Sequence, residues 1–427
     1  MSKIKDKNLA DKGRKALVWA QENMPILNSI RERFEESKPF KGISIGVSMH
    51  IEQKTGVLLQ TLHSGGAEIT ASSSNPLTTD DAVAATLSEN MNIFAWSTQT
   101  KDEYYECIDL VIRSAPNITL DDGGDLNFLL HSKYPSILKE VLGGCEETTT
   151  GYIRLKAMKE DGELKIPIIA VNNAYSKYLF DNRYGTGQSV IDAIASATNM
   201  LIAGKTIVVI GYGWVGRGIA MRLKGMGARV VVVETASSGM QEGQSGFHRG
   251  LEALYDGNWV MSMEEAAIIG DIFITATGNK HVISRHHFKL MKDNVILSNA
   301  GHFNNEIDVD GLKDMCKESK EIMTNLVRYR LKNGKSVILL SDGRLVNLVR
   351  PTGHGHPIEI MDGSFAVQAL CVEYLATLEE KLSPNIYNVP ELLDEEVARL
   401  ALISHGINLQ KPTPQQVEYS KHWEEGT

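Results

Sequence analysis

The sequence predicts an α/β protein: two doubly wound parallel-sheet domains facing a cleft, plus a small C-terminal appendage. Three observations lead there. Short apolar runs alternate with amphipathic helical stretches along 42–172 and again along 205–340, and such alternation implies parallel strands joined by crossover helices. At 427 residues the chain is too long for one core, so two or three domains are expected. The third observation is a glycine turn set between two of the apolar runs, and the rest of the chain is organised around it.

That stretch runs from Lys205 to Glu234. An uninterrupted apolar run, Thr206 to Ile210, leads into Gly211-Tyr212-Gly213-Trp214-Val215-Gly216, a helical segment from Arg217 to Met226, a second apolar run from Val230 to Val233, and Glu234. Gly211 suits the tight turn, Gly213 lets a pyrophosphate approach the backbone, and Gly216 lets the helix pack close to the strand. The free N–H groups at the start of that helix favour phosphate. Glu234 falls where an acid would hold a ribose 2′-hydroxyl and repel a 2′-phosphate, so the pattern predicts a Rossmann domain for NAD rather than NADP. Without its flanking strands and acid, the same triplet would be only a tight turn.

Hydrophobic residues at 42% and charged residues at 23% describe an ordinary globular chain. A net charge of −9 argues against nucleic acid or an anionic membrane as a partner. No apolar run approaches a membrane span, and the N-terminus lacks an apolar signal core, so a cytoplasmic protein is expected, its first helix near Asp11–Met24. Cys107, Cys145, Cys316 and Cys371 lie far apart, without metal-type spacing; reduced thiols and no metal are expected.

In the first half the expected strands are Gly42–His50, Ala67–Ser72, Asn92–Trp96, Asn117–Leu120 and Ile166–Val171. They run into His50, Ser73-Ser74-Asn75, Asp121-Asp122-Gly123-Gly124-Asp125 and Asn172-Asn173. The carboxyl ends of parallel strands line the ligand crevice, so these groups read as a site; each alone, Asp125 included, could equally be a turn or a helix cap. Thr148, Thr149 and Thr150 are strand formers that also offer hydroxyls to a cofactor. Lys177 and Asp181 stand i,i+4, on one face of a helix, where burial would lower the lysine pKa enough for it to accept a proton.

The second sheet is expected to continue through Asp271–Thr275, Asn294–Asn299 and Ser336–Leu340, with Thr277 and His302 just past strand ends. Asn347 precedes Gly353-His354-Gly355-His356-Pro357, read as a mobile turn in which His356 or His354 gates the site. A helix around Phe365–Leu382 and a proline-punctuated tail close the chain.

These residues resemble the S-adenosyl-L-homocysteine hydrolase family over nearly the whole length, its shorter archaeal and bacterial branch in particular. The resemblance is carried by Ser48-Met49-His50, Leu120 to Asp125, Glu146 to Gly151, Lys177 with Phe180 to Gly185, Gly211 to Gly216, Gly301-His302-Phe303, Arg344 to Leu348 and Gly355-His356-Pro357. It implies NAD-dependent oxidation of the ribose C3′, elimination of the thiol from C5′, water addition and re-reduction, so that S-adenosyl-L-homocysteine is reversibly hydrolysed to adenosine and L-homocysteine in the methionine cycle.

By position, the resemblance makes Lys177 and Asp181 the groups that deprotonate the 3′-hydroxyl and C4′. His50 and Asp122 would serve the leaving thiolate and the water, Glu147 the ribose hydroxyls, and His302 the developing ketone. Glu52, Lys54, Thr55, His356, Met361 and Phe365 would bind substrate. Thr148, Thr149, Thr150, Asn182, Gly211, Gly213, Gly216, Glu234, Thr277 and Asn347 would hold NAD. A homotetramer is implied, divided into a substrate domain (1–183 and 349–385, the latter with the hinge), an NAD domain (184–348) and an oligomerisation appendage (386–427).

The chain departs from the family in four places. Glu52 and Lys54 replace a threonine and a glutamate of the animal and plant enzymes. A lysine offers only donors, suiting the O6 of hypoxanthine, so S-inosyl-L-homocysteine or another 5′-substituted nucleoside is an alternative substrate. A polar loop, 235–246, is longer than usual and is expected to cover the adenosine end of NAD. Extra residues fall between Asn347 and His356. The Lys/Tyr-bearing tail of longer members has no counterpart before Thr427, which predicts looser cofactor retention. An NAD-binding regulator without turnover is the remaining reading, one that loss of Lys177, His50 or Asp122 would have favoured.

Overall fold

The computed structural model describes residues 2–236 and 244–424. The first sheet takes β1 (Lys3–Ile4), β2 (Ser44–Ser48), β3 (Glu68–Ser72), β4 (Asn92–Ala95), β5 (Ile118–Asp121), β6 (Gly143–Glu146) and β7 (Ile168–Ala170). The second takes β8 (Thr206–Ile210), β9 (Arg229–Val233), β10 (Trp259–Val260), β11 (Ile272–Thr275), β12 (Val295–Asn299), β13 (Cys316–Met323), β14 (Leu326–Leu331) and β15 (Ser336–Leu340). A last strand, β16 (Ile386–Asn388), returns to the first sheet beside β7.

The first sheet has the order β1-β4-β3-β2-β5-β6-β7-β16, with every pairing parallel. Helices cover both faces of a parallel sheet, which is why central strands such as β8 of the second sheet, with all five residues buried, read as continuous apolar runs. The second sheet has the order β10-β9-β8-β11-β12-β15-β14-β13. In each sheet the order of the parallel strands reverses near the centre, between β2 and β5 and between β8 and β11. A doubly wound sheet opens its ligand crevice at that reversal. His50 and Asp122 follow the first pair of strands; the glycine turn and Thr277 follow the second.

Three features differ from the sequence reading. β6 was not among the expected strands because Gly143 and Gly144 have no strand propensity. They are there for space: a Cβ on Gly144 would lie 2.4 Å from the Thr119 hydroxyl. The second sheet is not wholly parallel, since β13, β14 and β15 pair antiparallel. Helical sequence was expected between Asn299 and Ser336, where β13 and β14 stand; the charges of Lys317, Glu318, Lys320 and Glu321 on this edge strand discourage pairing with other chains.

The third difference is the boundary at 386. The segment expected to be an appendage supplies β16 and the helix Glu391–Ser404, whose Val397 enters the first core. The Asp394 carboxylate accepts the N–H groups of Tyr175 and Ser176 at 2.6 and 2.9 Å, capping the turn that leads into Lys177. Asp394→Ala is expected to cost about 1–3 kcal/mol. Calorimetry should then show a melting temperature at least ~2 °C lower; an unchanged value would show the cap to be idle.

The helix Ile358–Thr377 buries Met361, Phe365 and Leu370 in the first core. The helix Thr186–Thr198 packs Val190 and Ile194 into the second core. Among the described residues no helix is long and apolar enough to cross a membrane.

Candidate active site

Both reversal points open onto one cleft, lined from the first domain by residues such as His50, Asp122 and Lys177 and from the second by Gly213, Thr277 and His302.

On the first-domain wall, Lys177 donates to Asn182 Oδ1 at 2.9 Å and lies 3.3 Å from Asp181 and 3.5 Å from Glu147. The expected i,i+4 pairing is present, on a π-helical stretch Tyr178–Gly185 that follows Lys177. All three charged groups are buried. Burial works against the ammonium, but Asp181 and Glu147 outweigh it, and the Lys177 pKa lies above its ordinary value. The expectation that burial would lower it is therefore corrected. Asp181 is also opposed by burial, but Lys177 first and then His356 hold its pKa below the usual range. Glu147 is pushed up to about 8 by burial, against the pull of Lys177.

In the same cleft, Asp122 lies between two imidazoles, 3.3 Å from His50 Nε2 and 3.6 Å from His302 Nδ1. Burial lowers the pKa of both, that of His50 to about 4, so both are neutral in use. His302 comes from the second domain, so this cluster forms only where the two domains meet. The three groups are close enough together to share a metal ion.

The far end of the cleft begins with Glu52, whose carboxylate caps the helix Gln53–Ser64 by accepting the N–H groups of Lys54 and Thr55. Its other oxygen lies 2.7 Å from Lys54 Nζ, which also donates to the His354 carbonyl at 3.0 Å. The lysine is thus neutralised, with one proton left for a ligand. Thr55, Met361 and Phe365 complete that end. His356, not His354, faces the cleft, with Nδ1 2.8 Å from Asp181 and Nε2 bonded to the Thr186 hydroxyl.

Several expected cofactor residues also line the cleft: Thr148, Thr149, Thr150, Asn182, Gly213, Thr277 and Asn347. Four features fit a dinucleotide. Gly211 has φ +96°, which glycine adopts without strain. A Cβ on Gly213 would point into open space, as a surface approached by pyrophosphate should. The helix Trp214–Gly225 has no side-chain cap, leaving its first N–H groups free for phosphate. Asn347 Oδ1 is buried without a hydrogen-bond partner while Nδ2 donates to Ser189. Gly211, Gly216 and Glu234 support the turn from outside the cleft wall. Glu234 accepts the Tyr212 N–H at 2.9 Å and pairs with Arg249 at 3.1 Å. Of the long 235–246 loop, residues 237–243 lie outside the described residues; Gln244 at its end accepts from Arg217.

Other strand-end groups have local duties. Asp125 is taken by Tyr104 and Arg154, and Ser73 bonds Asn75 within its own turn. Sequence reasoning missed Thr78, which bonds His50 Nδ1 at 2.7 Å. It also missed Ser364 on Asp181 at 2.7 Å and Gln368 on Glu147 at 2.6 Å. The last two were findable: they share a helix face with Met361 and Phe365, polar positions within an apolar helix. Glu306, which holds the Thr277-Gly278 turn through three bonds, left no such signal.

Two facing α/β domains, a dinucleotide turn and a buried acid–base cluster define an NAD-dependent enzyme whose chemistry includes proton transfer. Comparison with known proteins narrows the class. Residues 1–134 match the family model described as S-adenosyl-L-homocysteine hydrolase, and 182–353 match its NAD binding domain. The adenosylhomocysteinase of Sulfolobus acidocaldarius is 53% identical over 426 residues, covering 100% of this chain and 99% of its own. The S-inosyl-L-homocysteine hydrolase of Methanocaldococcus jannaschii is 51% identical over 428 residues, with 100% of both chains covered. The chain belongs to the S-adenosyl-L-homocysteine hydrolase family.

Proposed function

We propose that the protein reversibly hydrolyses S-adenosyl-L-homocysteine to adenosine and L-homocysteine, as a cytoplasmic enzyme of the methionine cycle. The observation that carries this reading is Lys177, held between Asp181 and Glu147 and lining one cleft with the His50–Asp122–His302 group. Two proton-handling groups in one cleft are what a reaction needs when it removes protons at C3′ and C4′ and protonates a leaving group at C5′.

NAD, when bound, supplies hydride acceptance from C3′ and the later return. The residues do the rest. Glu147 receives the ribose hydroxyls. Lys177 serves as the base toward the 3′-hydroxyl and C4′, and Asp181 and Asn182 hold its position. Across the cleft His302 donates toward the 3′-oxygen as charge develops there. Neutral His50, its other nitrogen fixed by Thr78, exchanges protons with the C5′ thiolate and with water through Asp122. The threonines 148–150, Asn182, Thr277, Asn347 and the 211–216 turn hold the cofactor.

A second reading of the substrate, S-inosyl-L-homocysteine, is favoured by the free Lys54 proton, which suits a purine O6. Relatives of nearly equal identity carry either name, so likeness does not choose between them. Purified holoenzyme given each thioether, with released thiol measured, tests both. Thiol from neither substrate would overturn the proposed function. Lys54→Glu is expected to move the kcat/KM ratio toward the adenine substrate by about tenfold, because an acceptor replaces a donor. An unchanged ratio would show that Lys54 does not read the base. Assembly as a homotetramer is supported by exposed Leu392, Leu409, Tyr419 and Trp423 on the C-terminal segment, apolar surface suited to a neighbouring subunit.

A further inference from the structure

Glu146 stands apart from the reacting groups, yet two parts of the site meet on it. It is fully buried at the end of β6. One carboxyl oxygen accepts the Gly123 N–H at 2.9 Å, the Thr148 N–H at 3.1 Å and the Thr148 hydroxyl at 3.1 Å. Gly123 belongs to the turn that presents Asp122, and Thr148 opens the threonine turn on the cofactor side.

The fit around this carboxyl is tight on every side. A Cβ on Gly151 would come within 2.1 Å of it, so the helix Thr149–Glu160 is packed directly against it. Gly123, at φ +107°, lies so close to His302 that a Cβ there would meet Nε2 at 2.4 Å. The turn held by Glu146 is therefore the surface against which the second domain's imidazole rests.

We propose that Glu146 is a positioning residue that ties the Asp122–Gly123 turn to the Thr148–Thr150 turn, setting catalytic and cofactor groups in one register. Its length carries this role and its charge does not. One oxygen must reach two turns at once, and the other oxygen has no hydrogen-bond partner. Burial, reinforced by Asp121, holds the pKa well above the usual carboxyl range, consistent with a neutral group that works as an acceptor. The inference rests on the proposed function in assigning Asp122 to the thiol step and the threonines to NAD.

The test separates reach from charge. Glu146→Gln keeps the length and the accepting oxygen and removes the ionisable group. Glu146→Asp keeps the acid and shortens the arm by about 1.5 Å. On purified holoenzymes, thiol release from the adenosyl thioether and the rate of NAD loss during gel filtration are measured together. The glutamine variant is expected to stay within about threefold of wild type in both, and the aspartate variant to be worse by about tenfold or more in both, the effect of one or two lost buried hydrogen bonds. An aspartate variant equal to wild type, or a glutamine variant as impaired as the aspartate one, overturns the proposal. Absence of thiol release in wild type would overturn the proposed function instead, while NAD loss would still rank the two variants.

Discussion

Lys177→Met should lower thiol release by about 10³-fold while leaving NAD bound, since losing a positioned base costs roughly 10²–10⁴. Methionine matches the length of the lysine stem, so the substitution removes the charge and the proton and little of the packing. Asp181 keeps His356 at 2.8 Å and Ser364 at 2.7 Å, so its carboxylate is not left bare. The stability loss should accordingly fall below the ~3–5 kcal/mol typical of breaking a buried pair. The appearance of NADH absorbance on adding nucleoside should fall too, because the 3′-hydroxyl then has no base to take its proton. A variant within tenfold of wild type would place the base elsewhere, and the assignment of Lys177 would have to be given up.

Gly216→Ala should strip the protein of NAD, with content falling at least about tenfold. The new methyl would sit 1.9 Å from the Gly211 carbonyl oxygen, a backbone atom at the very turn that receives the pyrophosphate. No side chain is available to swing aside, so the strand–turn–helix unit must open. Such overpacking typically costs about 1–3 kcal/mol, and the same displacement moves the free N–H groups at the start of the Trp214–Gly225 helix away from the phosphates. Cofactor content of the purified variant, read by absorbance after denaturation, and its melting temperature check the two consequences separately. Full NAD content would show that the turn can relax without losing its grip.

Both variants lie in segments whose chemistry was legible early, and the reason is locality. Gly211, Gly213, Gly216 and Glu234 act within one strand–turn–helix–strand unit, so their spacing along the chain is their spacing in space. Lys177 and Asp181 likewise meet through a single turn of helix. Residues whose partners are distant in sequence were invisible. Ser364 and Gln368 reach Asp181 and Glu147 across 183 and 221 residues of chain, the whole second sheet among them, and Asp394 caps Tyr175 and Ser176 from a segment that read as an outlying tail. The charge state of Lys177 failed for the same cause: burial could be foreseen, whereas the two acids that outweigh it come together only on folding.

By itself, then, the sequence determined the alternating α/β plan, the dinucleotide turn and which residue types stand at the strand ends, because periodicity and short-range spacing encode those directly. Tertiary structure alone decided that β16 belongs to the first sheet, that His356 rather than His354 faces the cleft, that Arg249 shares Glu234, and that His302 closes on Asp122. Each of these depends on distances between parts of the chain that no local pattern relates, and such distances exist only once the two sheets have packed.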